Sequence, residues 1–215
     1  ARYGGFICAT RFDSTRFALS AAEASVMDPQ QRLFLEEAWK TLENAGHAGD
    51  DMIGRRCGVF VGCAHGDYQE LFTEQPPGQA FWGNTTSLIP ARISYWLDLK
   101  GPAVAVDTAC SSSLVALHLA CQAIRNGECE MALAGGVFVQ CSPRFFRYAN
   151  AAQMLSPSGH CAAFGAGAEG PAPVFQITGI THRKDPHALG HMPPFKWCMR
   201  PWRPGAPWVR HCKFG

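Results

Sequence analysis

The segment that most constrains this chain is a cysteine-bearing turn between an apolar run and an amphipathic stretch. The run is Gly101-Pro102-Ala103-Val104-Ala105-Val106, the turn Asp107-Thr108-Ala109-Cys110-Ser111-Ser112-Ser113, and the stretch Leu114 to Ile124. A short β-branched run reads as a buried strand, and apolar positions three and four apart read as a helix. So few residues between them force a strand–turn–helix unit, which belongs in a parallel sheet with helices on its faces. A thiol at this turn lies beside the free N–H groups that open a helix, and these favour its anionic form. Cys110 is therefore the candidate nucleophile; the other reading is a small buried thiol at a strand end. Ser111, Ser112 and Ser113 could also attack, but no Gly-x-Ser-x-Gly elbow surrounds them. They are expected to cap the helix and line the turn.

The same alternation continues along the chain. Asp28 is placed to cap a helix over Asp28–Ala45, Pro29 suits its first turn and Gly46 its exit. Leu35, Ala38, Trp39, Leu42 and Ala45 share one face there, with Glu36, Glu37, Lys40 and Glu43 outward. Cys57–Cys63 and 103–107 read as strands. Residues 111–126 read as a helix that buries Leu114, Leu117, Cys121 and Ile124. Met131–Ala134 reads as a strand closed by Gly135-Gly136, and Arg144–Leu155 as a helix. Strands alternating with helices imply an α/β fold with a mostly parallel sheet.

Charge separates the two ends. Of nineteen Lys and Arg, seven follow Gly170, against the single acid Asp185; residues 1–170 hold twelve bases and sixteen acids. Residues 171–215 also hold eight of fifteen prolines, three of six tryptophans and four of eight histidines, with no sustained period. The chain divides into residues 1–170 and an irregular tail, 171–215, read as out-of-frame, fused or disordered sequence. A basic tail suits nucleic acid or membrane, but nothing in the front supports either partner. No stretch is long and apolar enough to span a bilayer. The first residue is Ala1, with no signal pattern after it, so the chain reads as the interior of a longer polypeptide. Ten cysteines without a CxxC pair, several of them in apolar runs, read as reduced thiols in the cytoplasm rather than a disulfide framework.

Asp107 to Leu114 resembles the nucleophile motif of the β-ketoacyl synthase (ketosynthase) domains of modular polyketide synthases and animal-type fatty acid synthases. Met27-Asp28-Pro29-Gln30-Gln31-Arg32-Leu33, Gly58-Val59-Phe60-Val61-Gly62, Ala91-Arg92-Ile93-Ser94-Tyr95, Ala134-Gly135-Gly136-Val137 and Met154-Leu155-Ser156-Pro157 follow in the family's order. The resemblance spans residues 3 to 170. It implies a thiolase-like fold, mainly its first half, with a mixed sheet flanked by helices. It implies that Cys110 takes an acyl group from phosphopantetheine on an acyl carrier protein, for decarboxylative Claisen condensation with a malonyl-type extender. It further implies a homodimer working with the other domains of a polyketide synthase, and no bound cofactor. Thr108, Ala109, Asn84 and Thr85 are the expected substrate-binding residues. The family's His-Gly-Thr-Gly-Thr and later Gly-His motifs are absent, so self-acylation is expected without the full condensing cycle. Two rival readings are a dimerisation or carrier-docking fragment, and a fatty acid synthase ketosynthase or other thiolase-like acyltransferase.

Other motifs carry less. Gly165-Ala166-Gly167-Ala168-Glu169-Gly170 fits G-x-G-x-x-G, but Pro171 and Pro173 oppose the helix that a dinucleotide site needs. His182, His187, His191, Cys198, His211 and Cys212 match no zinc spacing, so no metal is expected. His118 is expected on the surface or in packing, His65 and Asp67 in loop hydrogen bonds, and Trp82 and Trp96 in the core.

Overall fold

Cys57–Cys63 forms strand β1 and is buried along its whole length, as a strand covered on both faces must be. The computed structural model describes Ile7 and residues 9–47, 49–73, 75–155 and 180–181. In it β1 lies between two parallel partners, β2 (Ala103–Val106) and β3 (Met131–Val137). Val59 stands opposite Ala103 on one side and Leu133 on the other. A two-residue strand, β4 (Ile180–Thr181), pairs antiparallel with Leu133 and Ala134, so the sheet is mixed, in the order β2-β1-β3-β4. Apart from this pair, the tail 171–215 lies outside the described residues, as does the 165–170 glycine segment.

Among the described residues six α-helices accompany the sheet: α1 (Ala21–Val26), α2 (Pro29–Asn44), α3 (Gln79–Gly83), α4 (Leu88–Trp96), α5 (Ser112–Arg125) and α6 (Arg144–Ala151). The strand period of two sorts them. Cys57, Val59, Val61 and Cys63 join Met131 and Leu133 in a cluster with Phe34, Leu35 and Leu42 of α2 and with Ile89 and Ile93 of α4. Phe60, Ala132 and Ala134 point the other way, onto Ala116, Ala120 and Ala123 of α5.

The start of α2 follows the sequence. Asp28 accepts the Gln30 N–H at 2.8 Å, Pro29 opens the helix, and Gly46 leaves it at φ +76°. Ala45 is exposed and Trp39 half-buried, so the inner face is shifted toward Gln30, Gln31 and Phe34.

The inner face of α5 agrees with the expected one only in part: Leu117 and Ile124 pack half-buried against the core. Leu114 is 57% exposed, and the small residues Ala116, Ala120 and Ala123 take the sheet side. A Cβ on Gly62 would stand 2.4 Å from the Ser112 carbonyl carbon, and one on Gly136 2.7 Å from Ser113 Cβ. The helix rests so close to two sheet glycines that leucine does not fit beneath its first turns. β3 runs on through Gly135-Gly136 to Val137 instead of closing at Ala134, because it stays paired with Val61, Gly62 and Cys63 of β1. Three smaller differences complete the comparison. β2 ends at Val106. α6 stops at Ala151, with Gln153 at φ +57° just beyond it. Trp82 is 56% exposed, edge-on to Phe81, because α3 is too short to bury both faces.

Candidate active site

All three parallel strands end at one edge of the sheet, where ligands of open α/β sheets bind. The Cys110 turn lies there. It opens with Asp107 after β2, passes through a 3-10 turn over Ala109–Ser111, and becomes α5 at Ser112. Ala109 sits at φ +56°, the left-handed region that costs an L-residue about 1–2 kcal/mol. Such strain persists only where neighbours over-determine it. Here they do. The Ala109 N–H donates to Asp107 Oδ1 at 3.0 Å and the Thr108 N–H to Ser112 Oγ at 2.8 Å. The Ser112 hydroxyl donates to the Ala109 carbonyl at 2.7 Å, and the Ser111 hydroxyl to the Thr108 carbonyl at 2.9 Å. Ser111 occupies the N-cap position of α5 but makes no side-chain cap bond. Contrary to the expected capping role, Ser111 and Ser112 brace the turn that precedes the helix.

Cys110 emerges from this turn exposed and as a free thiol. Four other thiols differ. Burial pushes Cys57 up to about 12, and does the same to Cys63 with help from the Asp107 and Asp28 charges. Cys141 also rises to about 12 by burial and the nearby Asp28 and Asp67 carboxylates, and Cys129 rises by burial. These four keep their protons at neutral pH and are poor nucleophiles.

Beneath the same edge, side chains not singled out as site residues hold the strand exits together. Gln30 Nε2 donates to the Ala64 carbonyl after β1, and Gln30 Oε1 accepts the Val139 N–H after β3. Asp67 accepts the N–H groups of Cys141 and Ser142 at 2.7 and 2.9 Å, and the Ser142 hydroxyl at 2.5 Å. Gln31 donates to the carbonyls of Trp82 and Thr85 and accepts from Arg92 Nε, while Arg92 pairs with Glu23 at 2.8 Å. The Asp28-Pro29-Gln30-Gln31 motif is therefore a buried polar joint. Its signal in the sequence was two adjacent glutamines at the start of an apolar helix face.

Thr108, Ala109 and Cys110 share the one turn. Asn84 and Thr85 belong to a different element, at the C-terminal end of α3. The buried Asn84 amide donates to the carbonyls of Val26 and Ala80, and the Thr85 hydroxyl to that of Phe81. Asn84 Oδ1 is buried with no partner among the described residues. His118 is exposed on α5, and His65 lies 3.0 Å from Gln69 in the loop that also contains Asp67, as expected of both. Among the described residues no group of three or more His, Cys, Asp or Glu could hold a metal ion, and no helix is long and apolar enough to cross a membrane. The histidines and cysteines of the tail lie outside the described residues.

Residues 1–173 match the family model of the β-ketoacyl synthase N-terminal domain. The chain is 48% identical over 180 residues to polyketide synthase PksM of Bacillus subtilis, covering 83% of this chain and 4% of that protein. It is 49% identical over 173 residues to the spectinabilin polyketide synthase system protein NorC of Streptomyces orinoci, covering 79% and 8%. Among solved structures it superposes on the ketosynthase from module 6 of the bacillaene synthase of Bacillus subtilis 168, with TM-score 0.76 and 39% identity. That match covers 84% of this chain and 31% of the other. The oxazolomycin ketosynthase domain OzmH KS7 of Streptomyces albus JA3453 gives TM-score 0.71 at 38% identity, covering 82% and 32%. With its cysteine turn, its glycine-cushioned helix and these matches, the chain belongs to the β-ketoacyl synthase family, matches the family's N-terminal domain and has a thiolase-like fold.

Proposed function

We propose that this chain supplies the acyl-accepting part of a polyketide synthase ketosynthase, with Cys110 as the nucleophile. The observation that carries the reading is an exposed thiol on a left-handed, fully braced turn at the mouth of α5. In the first half-reaction the Cys110 sulfur attacks a thioester carbonyl carbon. A new C–S bond forms, the C–S bond to the phosphopantetheine arm breaks, and the departing thiolate takes a proton. The backbone N–H of Cys110, with a second N–H from the other half of the fold, would hold the oxyanion of the tetrahedral intermediate. Thr108 and Ala109 border the acyl group at this turn.

In the second half-reaction a malonyl-type extender loses carbon dioxide, and its carbanion displaces the Cys110 sulfur. Cys110 carries the first half-reaction, and its acyl thioester is the electrophile of the second. The partners are an acyl carrier protein and the other domains of a cytoplasmic synthase. Among the described residues β2 is paired on one side only, and the exposure of Ala103 supports a homodimer whose sheet continues across a twofold axis. Sedimentation as a single copy would remove that pairing.

Incubation with a short acyl N-acetylcysteamine thioester, followed by intact-mass and peptide mass spectrometry, tests the nucleophile. One acyl group on Cys110, lost in Cys110→Ala, is expected; an adduct retained in Cys110→Ala would end the reading.

A further inference from the structure

We propose that Ser112, seconded by Ser111, is a positioning residue that fixes the direction of attack by Cys110; this rests on the reading of Cys110 as the acyl-accepting nucleophile. The two residues before Cys110 present four backbone polar groups, and side chains of the same motif bind all of them. Ser112 Oγ takes the Thr108 N–H and gives its own proton to the Ala109 carbonyl. Ser111 Oγ binds the Thr108 carbonyl, and lies 2.9 Å from Thr108 Oγ1. Asp107 Oδ1 takes the Ala109 N–H.

Ser112 is the central member. Its hydroxyl bridges the Thr108 N–H and the Ala109 carbonyl, the two ends of the segment that contains the Ala109 φ bond, and it is buried at 8% exposure, against exposed Ser111. Its backbone is pinned from below by Gly62, where an added Cβ would approach the Ser112 carbonyl carbon to 2.4 Å. The hydroxyl is thus a fixed strut from the helix start back to the turn. Left-handed φ at Ala109 is the conformation an L-residue abandons when released. Loss of the strut lets the turn relax and swings the Cys110 side chain away from the approach line of a thioester. The thiol itself stays exposed and chemically unchanged.

That separation defines the test, run on the full 215-residue chain. The saturating rate of Cys110 acylation by a short acyl N-acetylcysteamine thioester is compared with the rate of Cys110 alkylation by iodoacetamide, a small reagent with little demand on direction. In Ser112→Ala, acylation is expected to fall at least roughly tenfold, on the scale of about a hundredfold for a 1 Å misplacement, while alkylation stays within about twofold. Ser112→Thr, which keeps the hydroxyl, restores most of the rate. A parallel fall in both reactions, or no fall in either, overturns the proposal. Should Ser112→Ala fail to fold, the exposed Ser111→Ala decides: slowed acylation with unchanged alkylation supports the brace, and unchanged acylation overturns it. Wild-type chain that takes no acyl group, or takes it elsewhere than Cys110, sinks the nucleophile reading and this proposal together. Wild type acylated on Cys110 with indifferent serine variants sinks the positioning role alone.

Discussion

Gly62→Ala probes how the sheet sets the nucleophile. The new Cβ would lie 2.4 Å from the Ser112 carbonyl carbon, 2.5 Å from the Ser113 nitrogen and 2.7 Å from the Ser112 oxygen. All three are backbone atoms, so no side chain can rotate away. Carbon atoms pack at about 3.5–4.0 Å, so the start of α5 must lift by about 1 Å. Overpacking of this kind costs about 1–3 kcal/mol, and a 1 Å displacement of a reacting group costs about a hundredfold in rate. Urea unfolding and the Cys110 acylation rate measure the two effects. Gly58→Ala is the control, because its Cβ would meet the Phe60 ring at 2.6 Å and Cys129 Sγ at 3.2 Å, both side chains. It is expected to lower stability while sparing acylation. A Gly62→Ala chain with wild-type stability and wild-type acylation would refute the claim that this glycine seats the helix.

The polar joint gives two further predictions. Asp67→Ala leaves the N–H groups of Cys141 and Ser142 without their acceptor, and a loss of about 1–3 kcal/mol is expected in urea unfolding; an unchanged midpoint would show that water replaces the carboxylate. Burial raises the Asp28 carboxyl above its ordinary 3.8. The native state then holds this proton more tightly than the unfolded chain, so the contribution of Asp28 is greatest below pH 3.8 and is lost as pH rises through the folded value. Asp28→Asn keeps an N-cap acceptor and removes this loss. Relative to wild type, the variant should gain stability as pH rises above 3.8, and a pH-independent difference in unfolding midpoints would contradict the assignment.

The strand–turn–helix unit at Cys110 was legible because three signals agreed: an apolar run, a capping-type turn and a helical period. The caps of α2 at Asp28, Pro29 and Gly46 were legible for the same reason. The inner face of α5 was legible only in part, because hydrophobic periodicity ranks Leu114 above Ala116 and Ala120, whereas the clearance over Gly62 and Gly136 reverses that order. The brace was half visible: three serines in a row announced a polar turn, but only the positive φ of Ala109 shows that two of them serve the residues before them. Gln30 and Gln31 were hidden by the habit of reading polar residues as solvated. Here one anchors the strand exits and the next binds the helices.

The contrast among the thiols has a practical side. Cys57, Cys63, Cys129 and Cys141 stay protonated through neutral pH, while Cys110 meets solvent directly. A sparing dose of a mild electrophile would therefore select Cys110 among these five by accessibility, making it, of the five, the attachment point for a fluorophore, a crosslinker or a covalent inhibitor.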